Sequence, residues 1–516
     1  MLQALRRGRQ RHWRNNCRAG FGGFGDRIMD YILGIDQSTQ GTKLLLFDRN
    51  GAIAGKTDRS HRQLISEQGW VSHDLNEIYQ NLLEALQELL RKTGIDGSQI
   101  KAVGISNQRE TTCAFDQSGV PLAKAIVWQC GRAAEIASRH ADKAELIFGK
   151  TGLKLSPYFP AAKMQWLLEN ELQDIEPGKI RLGTIDSWLV CRLTHGAVYK
   201  TDATNASRTQ LYNIRLGKWD EELMDIFHVS PSMLPEVTDS NGDFGSTDFD
   251  GILPAAVPIT AAIGDSHAAL FGQNCRTEGM IKATYGTGSS IMMNIGDRMV
   301  SDPRLSTSIA YQMDGRTFYC LEGNINYTGA VISWLKNDLQ LISSPGETED
   351  LIARANPGDQ TVLVPAFTGL SAPHWNTEVR AAIMNMSRTT GRSEIVKAAV
   401  DSIAQQVTDV IEVMKEVSGH PVKCLRVDGG PTRNHYLMKL QSLLAECSLD
   451  VPDREELSAI GAAYMAGMKA GIYSDEVYDN LHYQHYRSET NEKRRQQMRR
   501  GWKAALTGAE QCAKAL

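Results

Sequence analysis

Apolar residues between positions 30 and 60 come in short blocks rather than at helical spacing. Tyr31, Ile32 and Leu33 form one block, Leu44, Leu45, Leu46 and Phe47 a second, and "GAIAGKT" a third, which predicts three short strands. The period then changes. In "DLNEIYQNLLEALQELLRKTG" Ile78, Leu82, Leu86 and Leu89 recur at helical spacing, Asp74 with Glu77 three residues later marks a helix start, and Gly94 a stop. "IKAVGIS" (100–106) returns to strand. Three strands, a helix and a strand make an α/β plan with a mixed sheet.

The second half repeats that order. "MIKATYGTGSSIMMNIG" (280–296) is again strand, bend and strand, followed by a third strand at "TFYCLEG" (317–323), a helix in "INYTGAVISWLKNDL" and a buried strand in "TVLVPAF". A long helix follows, with Ile395, Ala399, Ile403, Val407, Ile411 and Met414 along one stripe. One architecture used twice is the reading here; chance recurrence of a common strand order is the alternative.

Composition narrows the function classes. The chain has 516 residues, 42% hydrophobic and 22% charged, which fits a globular protein of more than one core. A net charge of −4 offers no basic field to a nucleic-acid backbone, and no apolar run approaches the roughly 18 residues that cross a bilayer. Nine cysteines form no CxxC pair, which fits a reducing, cytoplasmic setting. His482 and His485 lack a surrounding Cys or carboxylate cluster and read as surface residues. Residues 1–28 carry seven arginines against one acid, Asp26, with a "GFGGFG" patch; a disordered extension is expected there, with organelle targeting the alternative.

The bends are richer than a hairpin needs. "GIDQSTQGTK" (34–43) and "TYGTGSS" (284–290) place glycines and hydroxyls where backbone N–H groups form an anion-binding concavity. On this reading Asp36 holds a hydrated magnesium, Thr39, Gln40, Gly41 and Thr42 face phosphate oxygens, and Lys43 adds charge. Thr284, Gly286, Thr287 and Gly288 form the opposing wall. Either bend alone reads more readily as a tight hairpin, and neither matches GxxxxGK[ST]. In "LRVDGGPTRNHYLM" (425–438) a strand, two glycines and a helix start near Asn434 suit a nucleotide as well as they suit an ordinary βα loop.

Candidate chemistry lies at strand ends. Asp265 in "PITAAIGDSHAALFGQ" is placed to take a proton from an alcohol, though an aspartate there is also a preferred helix cap. Arg109 and Glu110 in "SNQRETT" together donate to and accept from vicinal hydroxyls of a polyol, with a surface ion pair as the plainer reading. Trp128 and Tyr158 could wall an alkyl or sugar face, or simply be core.

Taken together, these stretches resemble the FGGY carbohydrate kinases from Tyr31 to the C-terminal region. The matching segments include "GIDQSTQGTK", "SNQRETT", "AIVWQC", "YFPAAKMQWLLEN", "TDATNASRTQLYNI", "GDSHAALFGQ", "YGTGSS", "VPAFTGLSAPHW" and "RVDGGPTRN". The resemblance implies two actin-like, ribonuclease H-like ATPase domains with mixed sheets around a central cleft. Residues 29–273 would form the polyol and phosphate side, and 274–516 the nucleotide side. It implies ATP and Mg2+ as cofactors, with Asp36 and Asp265 at the metal. Arg109, Glu110, Trp128, Tyr158 and Asp265 would line the polyol pocket, with Asp265 the base. Thr39, Lys43, Thr287, Gly288, Gly323, Gly430 and Asn434 would lie on the nucleotide side.

"QRETT" points to glycerol as acceptor within the family. Two departures point to a wider, more polar pocket: Ser266 stands where members acting on glycerol carry glutamine, and Ser290 where they carry phenylalanine. The expected activity is therefore phosphorylation of a terminal hydroxyl of glycerol or a close polyol. A larger acceptor such as xylulose or erythritol is the first alternative, and an actin-like ATPase without a small acceptor the second. Asn385 replaces a signature glycine at little expected harm, since asparagine tolerates the left-handed conformation. "DFDGILPAAVPIT" lacks the "GGTR" stretch resembling a fructose bisphosphate site, so that regulation is not expected. A small polyol or sugar and further copies of the chain, as dimer or tetramer, are the expected partners.

Overall fold

The computed structural model describes residues 30–487 and 490–515, so the Arg-rich segment 1–28 lies outside the described residues. Two mixed sheets organise the chain. The first is built from β1 (Tyr31–Gln37), β2 (Gly41–Phe47), β3 (Ile53–Ser60), β4 (Ile100–Asn107), β5 (Ser246–Thr247) and β6 (Val257–Gly264), in the order β3-β2-β1-β4-β6-β5. The second is built from β7 (Ile281–Tyr285), β8 (Ser289–Asn294), β9 (Ser306–Met313), β10 (Arg316–Ile325), β11 (Cys424–Asp428), β12 (Ser448–Pro452) and β13 (Tyr483–Tyr486), in the order β9-β10-β8-β7-β11-β12-β13.

The repetition read from the sequence is real at the level of pairing. β3-β2-β1 is an antiparallel meander continued by parallel β4 and β6. β10-β8-β7 is likewise antiparallel and continued by parallel β11 and β12. Each half thus hangs one rich bend, β1 to β2 or β7 to β8, on the same ladder position.

Packing follows from strand alternation. Leu33, Ile35, Leu44 and Leu46 face the helix α1 (Leu75–Thr93), whose Ile78, Leu82, Leu86 and Leu89 are fully buried against them. Each such side chain contributes about 1.5–3 kcal/mol. Asp74 caps α1 by accepting from Asn76 N, and Gly94 ends it in the left-handed conformation. Ile32, Leu45 and Phe47 point to the opposite face, under α2 (Asp265–Gly272) and a helix from the far end of the chain. In the second half, α3 (Arg392–Ser418) lays Ile403, Val407, Ile411 and Met414 on Ala283, Ile291 and Leu321.

Two further helices follow, α4 (His435–Ala445) and α5 (Leu457–Lys469). α5 crosses onto the first sheet, and backbone touches backbone there. A Cβ on Gly104 would lie 2.2 Å from the Ala462 carbonyl oxygen, and one on Gly461 would lie 1.9 Å from that of Ala268. α6 (Glu492–Ala515) closes the chain over the second half, where Trp502 is buried against Val364 and Leu370.

Two elements are shorter than the sequence pattern suggested. The helix in 325–339 spans only Gly329–Asn337, because β10 runs on to Ile325, and of "TVLVPAF" only Val362–Val364 is strand. Asn385 has φ 60, the left-handed conformation expected of it.

Candidate active site

After β4 the chain turns through Gln108–Thr111, held by Gln108 N donating to the Gln37 carbonyl at 2.7 Å and Thr111 Oγ1 donating to Gln108 Oε1 at 2.7 Å. Glu110 takes φ 60 in this turn, which costs a residue with a Cβ about 1–3 kcal/mol. The strained turn presents two adjacent side chains inward. Arg109 and Glu110 are only 6% and 2% exposed, so they are not a surface pair, and neither bonds the other.

Their partners come from elsewhere. Arg109 donates through both terminal nitrogens to Glu322, at 3.1 and 2.8 Å, and its Nε lies 3.3 Å from Asp265 Oδ1. Arg208 donates from Nε to Glu110 Oε1 at 2.6 Å and approaches Glu322 Oε2 at 2.8 Å. Arg208 and Glu322 are each 1% exposed. Burial alone would raise the Glu322 carboxyl, but Arg109 and Arg208 hold it well below the usual carboxylate range. Ser290 Oγ donates to the same carboxylate at 3.1 Å, so its hydroxyl is engaged rather than free.

Asp265 is the first residue of α2, whose cap position is Gly264. Asp265 thus stands one residue inside the cap position and still satisfies one amide of the first turn. Its Oδ1 accepts from Ser266 N at 2.6 Å, and burial pushes its pKa up against the opposing pull of Arg109. Asp36, at the end of β1, accepts from Ser106 Oγ at 2.9 Å. Burial raises Asp36 to about 6, Ser106 counteracts this, and the charge of Asp265 adds to the rise. Two hard carboxylates that repel each other, both half-open to solvent, suit a hydrated divalent cation.

Lys282, two residues before the second bend, is fully buried and donates to Thr284 Oγ1 at 3.0 Å, while Thr284 donates to Asp428 Oδ2 at 3.2 Å. The ammonium of Lys282 also acts on Asp265. Asp265 therefore feels charges from the foot of each bend, Asp36 on one side and Lys282 on the other.

The aromatic wall is tied to the first bend. Trp128 and Tyr158 rings lie 5.6 Å apart, and Trp128 Nε1 donates to Thr39 Oγ1 at 2.9 Å. Lys163 donates to the Trp128 carbonyl at 3.2 Å and to the Tyr158 carbonyl, and its burial lowers its pKa to about 7.

The residues expected to meet a nucleotide are mostly open. Gln40, Lys43, Gly286, Thr287 and Gly430 are exposed, and Gly41, Ser266 and Gly288 partly so. Backbone crowding fixes the glycines: a Cβ on Gly288 would lie 2.2 Å from the Ile325 oxygen, and Gly429, at φ 97, would place one 2.0 Å from the Tyr285 oxygen. Asn434 caps α4, accepting from Leu437 N at 2.8 Å, and donates to Thr348 at 3.0 Å.

Two expected residues lie off this surface. Thr42 is fully buried on the α1 side of β2, with no partner for its hydroxyl. Gly323 sits inside β10, where a Cβ would lie 2.5 Å from Val410 of α3. Conversely, Glu322, Arg208, Lys163 and Lys282 were not singled out from sequence. A charged residue inside an otherwise apolar strand, as in "YCLEG" and "MIKATY", was the available signal. His482 and His485 are exposed, and no metal-binding group of three or more His, Cys, Asp or Glu occurs among the described residues.

Comparison with known proteins shows the family. Residues 31–272 match the N-terminal domain of the FGGY family of carbohydrate kinases, and residues 281–470 match its C-terminal domain. The chain belongs to the FGGY family of carbohydrate kinases. Among FGGY relatives, the glycerol kinase of Alcanivorax borkumensis is 45% identical over 86% of this chain and 91% of its own. Glycerol kinase 1 of Thermotoga maritima is 42% identical over 92% of this chain and 99% of its own. The crystal structure of Plasmodium falciparum glycerol kinase with ADP superposes with a TM-score of 0.88 at 33% identity, covering 93% of this chain and 98% of that one. A xylulose kinase from Lactobacillus acidophilus, at 21% identity and a TM-score of 0.85, shares the FGGY fold.

Proposed function

We propose that the protein transfers the γ-phosphoryl group of ATP to a terminal hydroxyl of glycerol or a close polyol. The observation that carries this reading is Asp265, a partly exposed carboxylate at the start of α2 with its Oδ1 3.3 Å from Arg109 Nε. Arg109 and Glu110 hold the vicinal hydroxyls, Trp128 and Tyr158 wall the carbon chain, and the reacting hydroxyl meets Asp265, which accepts its proton as the new O–P bond forms. Backbone N–H groups of the two bends bind phosphate oxygens, with Thr39, Gln40, Gly41 and Lys43 on one side and Thr287, Gly288, Gly430 and Asn434 on the other. Asp36 and Asp265 would hold a magnesium ion, which supplies positive charge to the phosphates when bound. Closing the cleft excludes water, the competing acceptor.

A four- or five-carbon polyol or ketose is the second reading. It is favoured by Ser266 and Ser290, two small residues that remain partly exposed at the site. An ADP-release screen over glycerol, erythritol, xylitol, xylulose and ribulose separates the readings. Glycerol ahead by orders of magnitude supports the first, a longer acceptor ahead supports the second, and acceptor-independent ADP release overturns both. The reading carries with it a cytoplasmic enzyme assembled as a dimer or tetramer. Sedimentation velocity tests the assembly. No helix among the described residues is long and apolar enough to cross a membrane.

A further inference from the structure

Arg109 and Glu110 recognise an acceptor only if their free atoms are fixed relative to each other. The fork of Arg109 on Glu322 uses one N–H of each terminal nitrogen, and its Nε faces Asp265. Two N–H groups remain for a ligand. Arg208 holds Oε1 of Glu110. Glu322 also closes the circuit to Arg208, so one carboxylate braces both cations. It stands on β10 of the second sheet, whereas Arg109, Glu110 and Arg208 all come from the first half of the chain. Fork–carboxylate pairs fix a plane as well as a distance.

We propose that Glu322 is a positioning residue for the acceptor: reaching across from the second sheet, it sets the plane of Arg109 and braces Arg208 behind Glu110, so the acceptor site is complete only when the two halves are together. The groups around Glu322 are Arg109, Arg208, His267 and Lys282, with Ser290 Oγ donating to Oε1, the oxygen that also accepts from Arg109. Glutamine at 322 keeps the shape but offers one acceptor oxygen where two arginines now share two. Aspartate keeps the charge with a shorter reach.

This inference rests on the polyol reading above. The test is steady-state kinetics of Glu322→Gln and Glu322→Asp with the best acceptor from the screen, alongside binding of a fluorescent ATP analogue. Glu322→Gln is expected to raise the acceptor KM about 30-fold or more, the loss typical when one partner of a buried charge pair is removed. The ATP-analogue Kd should stay within twofold, and Glu322→Asp should recover part of the acceptor KM. An acceptor KM within twofold of the parent, or equal losses for acceptor and nucleotide, overturns the proposal. If Glu322→Gln does not fold, Arg208→Lys, which keeps the charge and loses the fork, must raise the acceptor KM alone; an unchanged KM there overturns it equally. A parent enzyme that phosphorylates no acceptor in the screen sinks the polyol reading instead.

Discussion

On the function proposed above, the acceptor side and the nucleotide side of the site solve recognition in opposite ways. On the acceptor side, Arg109, Glu110, Arg208 and Glu322 are almost wholly buried and bonded to one another. Their orientation exists before any ligand arrives. On the nucleotide side, Gly286, Thr287, Gly430 and Gln40 are exposed, and the shape is set by backbone crowding at Gly288 and Gly429. Buried charges discriminate, because a ligand lacking the right hydroxyls leaves them unpaired. Open amides instead accept any phosphate that fits, which suits a triphosphate that must leave as a diphosphate.

The largest effect expected from breaking this division is at the residue both sides share. Asp265→Asn should lower kcat by about a thousandfold, the scale of a lost general base, while an ATP analogue binds as before. Unchanged turnover in a coupled ADP assay removes Asp265 from the chemistry. Gly429→Ala comes next and tests the nucleotide side alone. Its left-handed φ and the 2.0 Å approach to Tyr285 force the β11 loop to shift. At about 1–3 kcal/mol of strain, the ATP KM should rise about tenfold with the acceptor KM steady. Equal losses for both substrates would show that the two sides are not separable there. Trp128→Phe is smaller and probes one side-chain link from the aromatic wall to the first bend, the indole N–H on Thr39. Losing about 1 kcal/mol should raise both KM values about fivefold; an effect confined to the acceptor would make Thr39 a bystander.

How much of this was legible in the sequence follows the same division. The open side was readable because glycine and threonine in a bend advertise their geometry locally, and the doubled ladder showed in the repeated order of strand, bend, strand, strand. Register decided the exceptions. Thr42 alternates with Lys43 along β2 and so turns under α1, and Gly323 packs on α3 rather than at the bend. The acceptor side was half legible. Arg109, Glu110 and Asp265 stand at strand ends, where a motif shows them, but their bracing comes from residues about 100 and 213 positions further along the chain. No local pattern ties Arg208 or Glu322 to that turn; only the fold brings them there. The family resemblance implies the site residues, and the pairing among them is set by the fold.

The buried charge of the acceptor side continues one layer deeper, and pH reads it. Asp202 caps the short helix Ala203–Ser207 that leads into Arg208, and its backbone N–H donates to Asp186 at 3.3 Å. Both carboxylates are fully buried. Burial, and then the charge of Asp202, raises Asp186 to about 6, against the hydroxyls of Thr184 and Thr201 at 2.5 and 2.6 Å; burial likewise raises Asp202. A carboxyl whose pKa is higher folded than unfolded binds its proton more tightly in the native state, so its contribution to stability is greatest in acid and declines as pH rises from about 4 to about 6. Asp186→Asn removes that titration. The melting temperature of the variant relative to the parent should therefore improve between pH 4.5 and pH 7, by a few degrees for a protein of this size. Gly429→Ala, on the nucleotide side, should show no such trend in the same scan. A parallel pH course for Asp186→Asn and the parent would mean that the acceptor side's buried charge ends at Arg208, and that Asp186 and Asp202 share their proton invariantly across this range.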